Sequence, residues 1–464
     1  MKQLHHIIAI LLMACLASAC SDSSYPGIEY VYPPAVEVNN TEGGDGSDLG
    51  QPVRVLVSNN SFISTTTKGM GPFDEGVKNR YEKSRFYVFA FRDRPDDQGP
   101  FTYEPKLTYT SIDATDTKAN CLIDGYDYNF GMPTHLKTGE FKMLNRSLTS
   151  DTTLTYSKRY SDIGYNFFAY HLDDDSVVQS VQRQDQRIVC DLKIDGTQDI
   201  MVGYAPRLTP QVLDTRYMGV ALTEEQRNKV LNIGNYSSYA SALGIHPIVN
   251  MNHLLTRLRF TAYPGHPSCD GVKITGVEVE AHNQARFTVA ATNLNELEAG
   301  LQVQGGKTKL QLRQQQKTTD PKQTGFTPTE PLNPDDHVMV WDPADATKEL
   351  YDRTPKVLGC DMLVLRDSVY TMTLHYALEI KNLLDPTQDH VENFTSTFTL
   401  KARDLNESIV DYNPFLDTYF FRTGQVYNIR LGIYGLDGVN ADVDIDPWGN
   451  GGTIDNPDDW EWEP

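Results

Sequence analysis

Tryptophan is scarce in this chain, four among 464 residues, and cysteine is nearly so, at six. No two cysteines form a C-x-x-C pair, which removes zinc-ribbon and thioredoxin-type readings. Positive charge is in deficit: 41 Lys and Arg stand against 62 Asp and Glu. The resulting formal charge of -21 repels a phosphate backbone, so nucleic acid is not an expected partner. Beyond the first twenty residues no stretch reaches eighteen apolar residues, the length a spanning helix needs. Catalytic signatures are missing too: there is no H-E-x-x-H, G-x-S-x-G, P-loop or EF-hand loop. The expectation is a protein that is not an enzyme and carries no metal or cofactor.

What is present favours strands and turns. Tyr (25) and Phe (18) are plentiful, and 33 Gly with 25 Pro supply turn residues. A hydrophobic share of 39% is enough for a large core, and the length suggests two to three domains.

The first residues read as an export signal, 1–19. Lys2 precedes an apolar run, Ile7 to Leu16, and small residues follow up to Cys20. A cysteine placed there looks like a bacterial lipobox, with cleavage before Cys20 and acylation of its thiol, although Ala17 stands where Leu is usual. Cys15 is the weaker alternative. With N-acylation, three acyl chains would anchor the protein stably in a membrane, where one would be marginal. The other cysteines, Cys121, Cys190, Cys269 and Cys360, fit either one or two disulfides or buried thiols.

Residues 20–50, with their Tyr-Pro pairs and Gly-rich polar run, read as a flexible tether. Strand signals then begin. Val53, Val55 and Val57 alternate with Arg54. Phe86 to Phe91 and Tyr165 to Tyr170 are apolar on both faces, as buried central strands would be. Thr223 to Leu231 is the best helix, with Thr223 as N-cap and Gln226 completing a capping box. A second series opens near residue 246. In it Thr256, Leu258, Phe260 and Ala262 oppose Arg257 and Arg259, and Gly276 marks a bulge. Tyr370 to Ile380 and Phe394 to Leu400 continue the alternation, whereas 303–335 reads as a long loop. At the end, Tyr427, Ile429, Leu431 and Ile433 pair in a hairpin with Val439, Ala441, Val443 and Ile445, before an acidic tail containing Trp448, Trp460 and Trp462. The expected fold is all-β: two antiparallel β-sandwich domains in tandem, 51–245 and 246–464.

His246 and His253 lie seven apart in a strand-rich region, a spacing that sets no common ligand geometry, so they read as structural. Asp173 to Asp175 reads as a solvated turn, since calcium needs six to eight oxygens.

In their order along the chain, several of these segments resemble the fimbrillin family, the pilus subunits of Bacteroidales. They are the lipobox Cys20, the first strand followed by Thr65-Thr66-Thr67-Lys68-Gly69, the Phe86–Phe91 strand, the stretch from His246 to Phe260, and the closing hairpin with Trp448. The resemblance implies transthyretin-like sandwich domains and a structural or adhesive role in a surface fimbrium. It also implies export as a lipoprotein to the outer membrane. A protease would then cut after the first strand; that strand would leave, and a donor strand from another subunit would take its place. Lys68 is the candidate cut site, in an exposed Thr/Gly stretch, though the family usually has Arg there; Arg80 is next, and Arg54 is shielded inside its strand. Val53, Val55 and Val57 would be the departing core residues, and Val439, Ala441, Val443 and Ile445 the donor row. The implied partners are other pilus subunits, outer-membrane lipid, and host or bacterial surface ligands. Stalk, tip and anchor subunits are not separated by these residues. A glycan-binding surface lipoprotein is the alternative, and it would need exposed aromatic platforms; a secreted hydrolase comes third.

Overall fold

The computed structural model describes residues 51–58, 85–92, 121–123, 131–137, 140–144, 151–156, 161–172, 178–184, 187–291, 297, 300–314, 330–342, 355–380, 390–434 and 439–447. All of them belong to one unit, 45–464. Cys20, Lys68, Arg80 and the Asp173–Asp175 run fall outside the described residues.

The architecture is all-β. Strands β1 (Val55–Val57), β2 (Arg85–Arg92), β3 (Cys121–Ile123), β4 (Met132–Lys137), β5 (Glu140–Met143) and β6 (Tyr165–Leu172) begin it. The hairpin β7 (Val178–Gln184) and β8 (Arg187–Lys193) follows, then β9 (Ile200–Tyr204) and β10 (Ile248–His253). The first sheet closes on itself. Its hydrogen bonds run β2-β4-β5-β1-β10-β9-β6 and return from β6 to β2, with β3 beside the far end of β2. A closed ring leaves no free edge among those seven strands. An antiparallel sandwich was expected here; the ring also contains one parallel pairing, β1 with β10.

Side-chain alternation explains why β2 and β6 are apolar on both faces. Phe86, Val88, Ala90, Tyr165, Phe167 and Ala169 enter one core, with the three valines of the first strand. Tyr87, Phe89, Phe91, Phe168, Tyr170 and Leu172 enter another, against Ile188, Cys190 and Phe287. Three helices, α1 (Pro210–Arg216), α2 (Glu224–Ile233) and α3 (Ser238–Ala242), add Leu213, Val230 and Ala240 to the first core. α2 starts as the sequence predicts: Thr223 and Gln226 form the reciprocal capping box, and Gly234, at φ 72°, ends the helix in the left-handed region.

The remaining strands are β11 (Thr256–Pro264), β12 (Lys273–Ala291), β13 (Leu301–Gln311), β14 (Lys356–Val364), β15 (Val369–Ile380), β16 (His390–Lys401), β17 (Val410–Asn413), β18 (Thr418–Phe421), β19 (Gln425–Ile433) and β20 (Val439–Pro447). One sheet runs β14-β11-β19-β20 and another β16-β15-β12-β8-β7, with β13 on β12; β17 and β18 form a separate hairpin. Leu258, Phe260, Ile429 and Leu431 face Ile274, Val277, Met372 and Leu374 across a third core. Sheet membership interleaves across position 245: β7 and β8 precede it yet join β12, and β10 follows it yet belongs to the ring.

One expectation needs correction. Residues 303–311, the start of the expected long loop, belong to β13, which pairs with β12 from Phe287 to Glu278. The strand is polar because most of its residues are exposed, so it lacks the alternation that marks a half-buried strand. Arg257, on the face opposite Leu258 and Phe260, is fully buried and paired with Asp361, which also accepts from Arg259 Nε at 3.1 Å. The bulge at Gly276 is present, as a register shift between Ile274 and Gly276 against β15.

Candidate functional site

The site is the seat of the first strand. Val53, Val55 and Val57 are 6%, 0% and 6% exposed, while Arg54, Leu56 and Ser58 on the other face are half-buried. β1 lies between two neighbours. Val55 and Leu56 stand opposite Phe141 and Glu140 of β5, antiparallel, and Leu56 and Val57 are beside Ile248 and Val249 of β10, parallel. Leu56 N donates to Pro247 O at 2.8 Å and Ser58 N to Val249 O at 2.9 Å. Upstream, Val53 N donates to Leu154 O and Tyr156 N to Gln51 O, both at 2.8 Å. Ser241 Oγ donates to Pro52 O at 3.3 Å. The floor beneath the valines includes Phe86 and Phe141, whose ring centroids are 5.1 Å apart.

On the opposite face charge fastens the strand. Arg54 donates to Glu140 from Nε at 3.3 Å and from Nη2 at 3.1 Å, and Lys142 Nζ lies 2.7 Å from the same carboxylate. Burial raises the Glu140 pKa, but the hydrogen bonds from Arg54 and Lys142 outweigh it and hold the carboxyl below its ordinary range. His246 lies next to this cluster, its Nδ1 3.3 Å from Ser241 Oγ. Burial, reinforced by the Arg54 charge and opposed by Glu140, pushes His246 down to about 4.

Taken together, β1 is a short strand whose hold on the ring, among the described residues, is non-covalent. Its absence would leave an apolar trough and two unpaired strand edges, both costly in water. The candidate donor, β20, pairs along its whole length with its own β19, from Val439 opposite Ile433 to Ile445 opposite Tyr427. It ends its sheet, with β19 its one strand neighbour among the described residues.

The other candidate residues are not drawn into this seat as a chemical centre. His253 Nδ1 lies 3.1 Å from Asp199 Oδ1, away from the His246 cluster, and the described residues contain no group of three metal-ligating side chains. Cys190, Cys269 and Cys360 are buried free thiols, and burial raises each pKa, that of Cys360 to about 12. A cavity of about 360 Å³ between β12, β15 and β16 has Glu278 as its one carboxylate, beside His375. Among the described residues, the most exposed aromatic rings, Tyr412 (50%) and Phe415 (96%), belong to the β17–β18 hairpin and the turn that joins its strands. Sequence reasoning missed Glu140 as the partner of Arg54 and β10 as a ring strand; their signals are long-range pairings, which local periodicity does not carry.

No family model matches the sequence, and no curated protein matches it. Among solved structures the chain is similar to a candidate cell adhesion protein from Bacteroides uniformis ATCC 8492, at 9% identity over 87% of this chain and 100% of that one, with a TM-score of 0.37. It is also similar to the fimbrial anchor protein Mfa2 of Porphyromonas gingivalis, at 12% identity over 86% and 98% of the two chains, TM-score 0.27. The tip fimbrial protein Mfa3 of the same organism, with a C-terminal truncation, gives 8% identity over 86% and 100%, TM-score 0.29.

Proposed function

We propose that this chain is a structural and adhesive subunit of a cell-surface pilus that assembles by strand exchange. One observation carries the reading: β1 is a three-residue strand that completes a closed ring and, with Val53 just before it, sets three buried valines into its core. Burying each valine contributes about 1.5–3 kcal/mol, so the set contributes roughly 5–9 kcal/mol. That is comparable to the whole stability of an ordinary domain, about 5–15 kcal/mol. An emptied seat therefore does not persist in water; cleavage of the chain behind β1 prepares exchange, and a competitor strand with equal burial completes it. Val439, Ala441, Val443 and Ile445 of another copy offer an apolar row of matching period. In this reading the N-terminal body, closed by β10, receives the strand, and the C-terminal body donates one.

Export places the subunit at the outer membrane through an acylated Cys20, and processing occurs after Lys68. The test is protease treatment of the purified chain, followed by N-terminal sequencing and sizing. A cut after Lys68 converts monomer to higher oligomers. A trimmed protein that stays monomeric and stable for days refutes self-assembly by this route.

A further inference from the structure

We propose that the free edge of β16 pairs with the same strand of a second copy, antiparallel and about a two-fold axis at Ser396. β15 covers one edge of β16 through all twelve residues without a bulge, and no described strand covers the other. Edge strands are normally guarded by proline, charge, a bulge or brevity. From Asn393 to Leu400 β16 has no charge, no Pro and no Gly, and its two Phe and three Thr are of high strand propensity. Its faces are sorted. Phe394, Ser396, Phe398 and Leu400 are half-buried or buried, and Asn393, Thr395, Thr397 and Thr399 are exposed.

The occupant follows from self-complementarity. Phe394-Thr395-Ser396-Thr397-Phe398 reads the same in both directions. Antiparallel pairing about Ser396 sets Phe394 opposite the second copy's Phe398, and Thr395 opposite its Thr397, each twice. Aromatic pairs and threonine pairs are favourable cross-strand neighbours. A slip of one residue would oppose Phe to Thr and turn core-side residues outward, so the pattern fixes the register. The patch meets its own image, as a closed two-fold interface requires.

This pairing needs no cleavage and no movement of β1, so it is measured separately from strand exchange. The sample is the uncut full-length chain carrying Cys20→Ala, which has no thiol to acylate there, examined by sedimentation equilibrium over a concentration series. The expected result is a monomer–dimer equilibrium that stops at two. Thr397→Lys, on the exposed face, sets two ammonium groups diagonally across the axis and weakens the dimer by about tenfold or more, with an unchanged circular dichroism spectrum. Adding Thr395→Glu places each introduced acid opposite an introduced base and restores dimerisation. A wild-type chain that stays monomeric at every concentration overturns the proposal and leaves the edge to a different chain. A dimer indifferent to Thr397→Lys, or not restored by the double substitution, overturns it as well.

Discussion

Arg54, the residue before β1, holds Glu140 on β5 through two hydrogen bonds, Nε to Oε1 at 3.3 Å and Nη2 to Oε2 at 3.1 Å. The pair fastens the first strand on the face opposite its valines, and its side chains are 20% and 11% exposed. Arg54→Ala leaves Glu140 with Lys142 alone and lowers stability by about 1–3 kcal/mol. Chemical denaturation measures that loss. In the cleaved protein the same variant exchanges its first strand faster than wild type.

Val55→Ala removes two methyl groups from a fully buried site and costs about 2 kcal/mol. Leu56→Ala, on the half-buried face, costs less despite the larger deletion. Thermal melts of the two variants rank them. A larger loss at Leu56 would contradict the inward seating of the valines.

Acid loosens the seat. His246 titrates at about 4 when folded and near 6.5 when unfolded, so the unfolded chain binds the extra proton between those values. Stability is therefore full above pH 6.5 and falls as the pH drops toward about 4, by up to about 3 kcal/mol. Glu140, depressed in the fold, adds stability present above its ordinary pKa of 4.5 and lost as pH falls through its folded value. His246→Asn flattens the slope between pH 6.5 and 4 in a denaturation series and leaves the more acidic limb.

Asp361 is buried between Arg257 and Arg259, and those two charges overcome burial to keep its carboxyl below the ordinary range. Asp361→Ala strands the fully buried Arg257 guanidinium and costs about 3–5 kcal/mol. The measurement is the denaturation midpoint.

Cys20→Ala moves the protein from the membrane fraction to the soluble fraction. Retention in the membrane would rule out the lipid anchor. Val443→Lys interrupts the donor row and blocks assembly of the cleaved protein, as read by sizing.

What the sequence made legible was local. The alternation at Val53, Val55 and Val57, the doubly apolar runs at Phe86–Phe91 and Tyr165–Tyr170, the capping box at Thr223 and Gln226, and the β19–β20 hairpin all depend on neighbours a few residues apart. What stayed hidden was pairing at a distance. Nothing in Ile248–His253 announces a parallel bond to a strand nearly two hundred residues earlier, roughly the separation between β1 and β10. β13 escaped notice because a wet strand has no apolar stripe to betray it. Alternation set Arg257 opposite Leu258 but did not report that this face is buried as well, where the carboxylate of Asp361 makes an arginine tolerable.

The parallel bond between β1 and β10, set against the antiparallel bond to β5, gives the seat a direction. An intruding segment keeps both hydrogen-bond patterns when it threads from N- to C-terminus in the sense of the strand it displaces. Each junction of a fibre built that way would point the same way as the last, giving a filament with distinguishable ends that grows by one-way addition.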